Sequence, residues 1–140
     1  MTITLDTSAL AAVVLGESDA EQFTAAMLAN AGDCLISAAT WVEASIVVEA
    51  KQGAGAAQDL RLLVDQIGAD VVPVDAQTAS VAVATWRRFG KGRHPAALNF
   101  GDCFSYALAK VSGASLLFKG ADFAQTDISH VLGFPSTWHE

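Results

Sequence analysis

Four carboxylates, Asp6, Glu43, Asp102 and Asp122, each fall within a few residues of a short apolar run or of the start of a helical pattern. In a sheet of parallel strands those junctions lie along one edge, where side chains remote in sequence converge and where open α/β sheets bind ligands. Crowded carboxylates repel one another and hold protons unless a cation neutralises them. Mg²⁺ or Mn²⁺ suits such a set, because hard divalent ions take oxygen ligands and keep several waters. An ion held this way activates water and steadies the charge that develops on a phosphodiester during in-line attack. Each acid also has a local explanation. Asp6 is placed to N-cap the helix beginning near Ser8, Glu43 closes a Thr40-x-x-Glu43 capping box, and Asp102 and Asp122 are placed to cap the segments they open.

The elements that must position these residues alternate between strand and helix. Thr2 to Leu5 is a β-branched run that ends at Asp6, and Ala9, Leu10, Val13 and Val14 follow at helical spacing as far as Gly16. Ser18-Asp19-Ala20-Glu21 has the form of a capping box opening a second helix to about Asn30. Cys34–Ser37 is a buried strand, and the helix after it runs to about Gln52, with Glu43 in its first turn. Gly53 and Gly55 break the chain before a helix from Gln58 to Ile67. A third strand from Asp70 to Val74 contains Pro73, which marks an edge or an end. Asp75 caps a long helix through Phe89, a Gly- and Arg-rich loop spans 90–95, and a central helix runs through Asp102 to Lys110. Ser115 to Phe118 is a further strand, and Ile128 to Val131 is expected as a last edge strand. Such alternation implies an α/β fold, a parallel-rich central sheet flanked by helices in three layers.

With 140 residues the chain fits one domain, 1–140, and a composition 52% hydrophobic and 16% charged supports a large core. No apolar run approaches the roughly 20 residues of a membrane span, and no basic segment precedes an apolar one, so a cytoplasmic location is expected. Cys34 and Cys103 lack metal-ligand spacing and are expected as packed thiols. His130, His139, Trp41, Trp86 and Trp138 are expected in packing or at the surface. The net charge, 8 − 15 = −7, argues against a broad basic surface for nucleic acid. Yet Arg87, Arg88, Lys91 and Arg93, beside His94, concentrate half of the basic residues within seven positions. That patch is expected to grip a phosphate backbone locally; alternatively, Arg87 and Arg88 simply complement a helix C-terminus.

Leu5-Asp6-Thr7-Ser8-Ala9-Leu10, Glu43 after Thr40, the segment from Leu98 to Ala109, and Leu116 to Phe123 together resemble the successive acidic motifs of PIN-domain nucleases. The similarity is close to the VapC-type toxins of bacterial toxin/antitoxin pairs, extends over essentially the whole chain, and is most specific from His94 to Ala109. The resemblance implies a metal-dependent endoribonuclease, usually dimeric, silenced by a cognate VapB-type antitoxin and meeting DNA only through that antitoxin. It maps Asp6 and Asp102 onto the principal metal ligands and Glu43 onto the third acid. At the fourth position Ala121 stands where many relatives carry Asn or Asp, leaving Asp122 as the choice and Asp127 as a further candidate. Thr7 or Ser8 is placed to hydrogen-bond an acid or the scissile phosphate.

Three other readings compete. An aspartate-based phosphotransfer or phosphatase domain is suggested by an acid after the first strand and Lys119 after a late one, but Ser8 stands where an Asp-x-Asp pattern needs its second acid. A PIN-fold RNA-binding module without activity would not need Asp6, Glu43 and Asp102 together. A thiol hydrolase built on Cys103 and His94 lacks a group to orient the base.

Overall fold

The computed structural model describes residues 1–133. Trp138 and His139, expected in packing or at the surface, lie outside them. Within the described residues four parallel strands, β1 (Ile3–Leu5), β2 (Cys34–Ser37), β3 (Asp70–Val72) and β4 (Ser115–Leu117), form one sheet in the order β3-β2-β1-β4. Six α-helices flank it: α1 (Thr7–Val14), α2 (Ala20–Ala29), α3 (Ala38–Gln52), α4 (Ala54–Gln66), α5 (Ala76–Phe89) and α6 (Phe100–Ser112). A 3₁₀ turn follows at Phe123–Gln125. No described helix is long and apolar enough to cross a membrane.

The register explains the three layers. Thr4 pairs with Leu116 and Leu5 with Leu117, so alternate residues of β1 and β4 face opposite sides of the sheet. Ile3, Leu5, Cys34, Ile36 and Leu117 turn to one side and pack with Leu10, Met27, Val48 and Leu60 from α1 to α4. Leu116 and Phe118 turn to the other and meet Ala82, Phe89, Cys103, Tyr106 and Ala107 from α5 and α6. Burial on both faces is why β1, β2 and β4 read as apolar runs rather than alternating ones, whereas the edge strand β3 is largely exposed. Because β1 lies at the centre, Asp6 leaves the sheet between the two helical layers. Pro73 follows directly on β3, which is the edge strand.

Several boundaries differ from the sequence reading. The Ser18 capping box does not form: α2 begins after Asp19, which makes no side-chain cap and instead binds Lys119 Nζ at 3.1 Å. Only Gly53, at φ +86°, breaks the chain between α3 and α4, and Gly55 lies inside α4. Val74 lies beyond the end of β3. Ile128 to Val131 does not become a strand; it contributes a single bridge, His130 to Leu116. Two backbone hydrogen bonds flank that bridge, Leu116 N–H to the Ser129 carbonyl at 2.8 Å and Val131 N–H to the Leu116 carbonyl at 3.0 Å, and the ring of His130 stacks on Phe118 at 3.8 Å between centroids.

Candidate active site

Asp6 N-caps α1, its Oδ2 accepting from the backbone N–H of Ser8 at 3.0 Å and from the Ser8 hydroxyl at 2.6 Å. The capping role is therefore real, but it engages one oxygen only. Oδ1 faces α6 and accepts from the Ser105 hydroxyl at 2.7 Å. The carboxylate is only 3% exposed, a burial that its three hydrogen bonds make tolerable.

Glu43 departs from its expected place. α3 starts at Ala38 with Ser37 as its N-cap, so Glu43 stands in the second turn and the Thr40-x-x-Glu43 box does not form. Its Oε1 accepts instead from the Thr7 hydroxyl at 2.5 Å, across the gap between α3 and α1. The carboxylate also lies flat against Gly101 at the start of α6, where a β-carbon would overlap both of its oxygens. A glycine before Asp102 is thus a requirement of Glu43's position.

Asp102 is the third residue of α6 and completes a capping box with Asn99: its Oδ2 accepts from the Asn99 N–H at 3.0 Å and its own N–H donates to Asn99 Oδ1 at 2.9 Å. Again one oxygen caps and the other is left for the cleft. Burial raises the Asp102 carboxyl to about 7; the Asn99 N–H opposes the rise, and the charges of Asp6, Glu43 and Asp122 add to it. That response shows the four acids to be electrostatic neighbours.

Asp6, Thr7, Ser8, Glu43, Asn99 and Asp102 line one open cleft of about 340 Å³. Asp122 is exposed, stands outside that wall at the head of the 3₁₀ turn, and makes no cap there. Asp127, the other candidate for a fourth acid, is committed elsewhere. It accepts from the Tyr106 hydroxyl and forms ion pairs with Lys110 at 3.1 Å and Arg88 at 3.4 Å. The basic patch is divided: besides Arg88, the Arg93 guanidinium donates to the Arg87 carbonyl at 3.0 Å and stacks over Trp86. Among the described residues the Arg87 and Lys91 side chains have no hydrogen-bond or ion-pair partner. Arg87 and Arg88 occupy the last turn of α5, and Lys91 lines an apolar groove of about 480 Å³ between α5 and α6.

Sequence reasoning overlooked several cleft residues. Glu17, Lys51 and Lys119 also line the cleft, and Lys119 Nζ is held by Glu17 at 2.6 Å. Ser105 carries no motif signal, whereas Asn99 was open to discovery as the first residue of an Asn-x-x-Asp box. Cys103 is buried, and its thiol is raised to about 11 by burial and by the adjacent Asp102 charge. His94 is engaged with the Ala96 N–H and the edge of Phe89, which leaves the thiol-hydrolase reading without a base directed at that thiol.

Residues 3–129 match the PIN domain family. This chain belongs to that family. It is 49% identical over 127 residues to Ribonuclease VapC30 of Mycobacterium tuberculosis, covering 91% of this chain and 96% of that protein. To Ribonuclease VapC of Mycolicibacterium smegmatis the identity is 46%, with 91% and 98% covered. These place it in the VapC branch of PIN domains. In fold it is similar to the sarcin-ricin loop cleaving toxin VapC20 of M. tuberculosis, with TM-score 0.76 at 18% identity over 91% of this chain and 96% of that one. It is similar also to a chain of a toxin-antitoxin complex from Klebsiella pneumoniae, TM-score 0.67 at 20% identity over 90% and 93%.

Among the described residues no three acids already stand in a metal-binding arrangement. The donor set nevertheless suits a hard cation: the carboxylates of Asp6, Glu43 and Asp102 line one cleft and offer oxygen atoms.

Proposed function

We propose that this PIN domain is a divalent-metal-dependent endoribonuclease, the toxin of a toxin–antitoxin pair, in which Asp6, Glu43 and Asp102 hold Mg²⁺ or Mn²⁺ with Asp122 as an outer acid. The observation that carries this reading is the convergence of Asp6, Glu43 and Asp102 on one cleft, in a chain half identical to a named ribonuclease. When bound, the ion supplies a polarised phosphoryl oxygen and an activated water. The protein's own contribution is placement. Ser8 fixes one oxygen of Asp6, Thr7 and the bare face of Gly101 fix Glu43, and the capping box fixes Asp102. Asp102, whose carboxyl burial raises to about 7, would give up its proton on taking a cation. Lys51 lines the same cleft and offsets part of the repulsion that three acids exert on a phosphodiester, whereas Lys119 beside it is paired with Glu17 and Asp19.

Cleavage of single-stranded RNA in Mn²⁺ should fall roughly 100-fold or more in Asp6→Asn, Glu43→Gln and Asp102→Asn, the size of effect expected when several kcal/mol of charge stabilisation are lost. Unchanged cleavage in these folded variants, or cleavage in EDTA, would falsify the proposal. Arg87 and Lys91 are the members of the basic patch proposed to reach RNA phosphates. A second copy of the chain is proposed to cover the groove between α5 and α6, whose rim exposes Val83, Trp86 and Phe100. The antitoxin is proposed to take the separate exposed apolar residues Val42 and Ile46 of α3 and Leu62 of α4. Co-purification with the small protein encoded beside it, lost in Ile46→Asp, tests that assignment.

A further inference from the structure

Beneath the acidic cleft lies a pair of hydroxyls that the reaction as described does not use. Ser105 is fully buried and Thr40 is 1% exposed; their oxygens are 3.1 Å apart, and Ser105 Oγ lies 2.7 Å from Asp6 Oδ1. The direction of the chain follows from valence. An ionised carboxylate only accepts, so Ser105 directs its single proton to Asp6, and the remaining contact is completed by Thr40 donating to Ser105. On the other side of Asp6 the Lys119 N–H donates to Ser8 Oγ at 2.9 Å, and Ser8 donates to Oδ2. Two hydroxyl chains thus end on the two oxygens of one buried carboxylate.

Their positions along the helices give the inner chain its purpose. Ser105 follows Asp102 by three residues on α6, and Thr40 precedes Glu43 by three residues on α3, so each hydroxyl lies one turn from an acid on the same face of its helix. The Thr40–Ser105 contact therefore ties the helix that carries Glu43 to the helix that carries Asp102, and Ser105 ties both to the strand end that carries Asp6. Packing alone does not call for these hydroxyls: the neighbours of Ser105 on α6 include Ala107 and Ala109, and an alanine would fill its place with less polar surface to bury.

We infer that Ser105, backed by Thr40, is a positioning residue that locks the buried Asp6 carboxylate in register with Glu43 and Asp102, so that the three acids close on a cation as a set. This rests on the metal-site reading above. Its effect should appear in cation affinity, because ligands held within a fraction of an ångström by a supporting shell lose less freedom on binding.

The test measures Mn²⁺ binding to the RNA-free protein by calorimetry, beside thermal melts and cleavage across a Mn²⁺ titration. Ser105→Ala should weaken Mn²⁺ at least tenfold, within the 10- to 100-fold range usual for loss of a supporting contact. Thr40→Val, which keeps shape and removes the hydroxyl, should weaken it less, and Thr40→Ser should bind as the parent does. In cleavage the half-saturating Mn²⁺ should rise in parallel while turnover at saturation stays within about twofold. Parent-like Mn²⁺ affinity in both Ser105→Ala and Thr40→Val overturns the inference, as does a loss of turnover that excess Mn²⁺ fails to restore. If Ser105→Ala does not fold, the contrast between Thr40→Val and Thr40→Ser decides. A parent protein that binds no Mn²⁺ overturns this inference and the metal site together. A parent that binds Mn²⁺ with the predicted pattern yet leaves RNA intact overturns only the ribonuclease reading.

Discussion

Asp102 is drawn in two directions: its capping-box N–H favours the charged form, while burial and the neighbouring charges of Asp6, Glu43 and Asp122 favour the neutral one and prevail. A carboxyl that ionises near 3.8 in the unfolded chain and near 7 in the fold makes the native state bind a proton that the unfolded state has released. Stability of the metal-free protein from this group therefore falls as pH rises from about 4 to about 7 and is flat above. His130, whose imidazole is held below its usual range chiefly by burial, acts with the opposite sign, losing stability as pH falls. The difference between the parent and Asp102→Asn isolates the acid. Melts in EDTA at pH 5.5 and 8 should show the parent gaining stability relative to Asp102→Asn at the lower pH, and equal shifts in both would remove Asp102 as the source. Gly101 yields a second prediction at this scale. Gly101→Ala places a methyl group where the Glu43 carboxylate sits, and the long side chain can swing away without unfolding α6. Cleavage should fall on the order of 100-fold, the size of effect that an ångström of misplacement produces, while the melting temperature stays close to the parent's.

At the scale of elements, α6 bears two loads on two faces. One face presents Asp102 and Ser105 to β1. The other holds the chain after β4 through Tyr106 and Lys110, which with Arg88 from α5 grip Asp127. Coupling to these partners holds the Asp127 carboxyl low in spite of burial, as befits a structural anion rather than a metal ligand. Asp127→Ala leaves the buried Tyr106 hydroxyl without its acceptor, a loss of about 1–3 kcal/mol. A melting temperature several degrees lower with cleavage retained below the transition is the expected pair of results. Loss of cleavage in a variant still folded would return Asp127 to the list of site acids. The two exposed ion pairs of this hub add little, being open to solvent and to salt.

On the proposed function, the whole molecule must bring a polyanion to an acidic protein. Lys51 at the cleft and the free members of the 87–93 patch, Arg87 and Lys91, are proposed to supply the local positive charge that a net −7 denies overall. In calcium, used to slow cleavage, Arg87→Ala/Lys91→Ala should weaken binding to many RNA sequences and flatten the salt dependence by roughly 0.7 per lost contact. An unchanged slope would leave the patch a solvated helix end. The proposed dimer is checked by mass: the parent should sediment as a dimer burying on the order of 2,000 Å². Phe100→Asp, at a side chain 80% exposed in the isolated chain, should sediment as a monomer. A parent that stays monomeric across a broad concentration range would leave the α5–α6 groove to another occupant.

The sequence by itself determined the alternation of strands and helices, because apolar runs buried on both faces and helices with apolar stripes are local patterns that need no partner to be read. It likewise determined that Asp6 stands at a strand end, that Asp102 stands in the first turn of a helix, and where Pro73 and Asp75 close β3 and open α5. Only the tertiary structure decided what those acids do there. Glu43 was legible as a capping residue, yet it caps nothing, since α3 starts five residues earlier and a hydroxyl from α1 reaches across to it. Asp122 and Asp127 are equivalent in sequence as trailing acids, and only packing sends one toward Asp102 and the other into an anchor with Tyr106. Ser105 had no signal at all, because a serine among alanines on a helix gains meaning only from the carboxylate that a strand 99 residues earlier brings to within 2.7 Å. Local order is set by short-range sterics and solvent, which the sequence spells out residue by residue. The site is set by which faces pack together, and that depends on the whole chain at once.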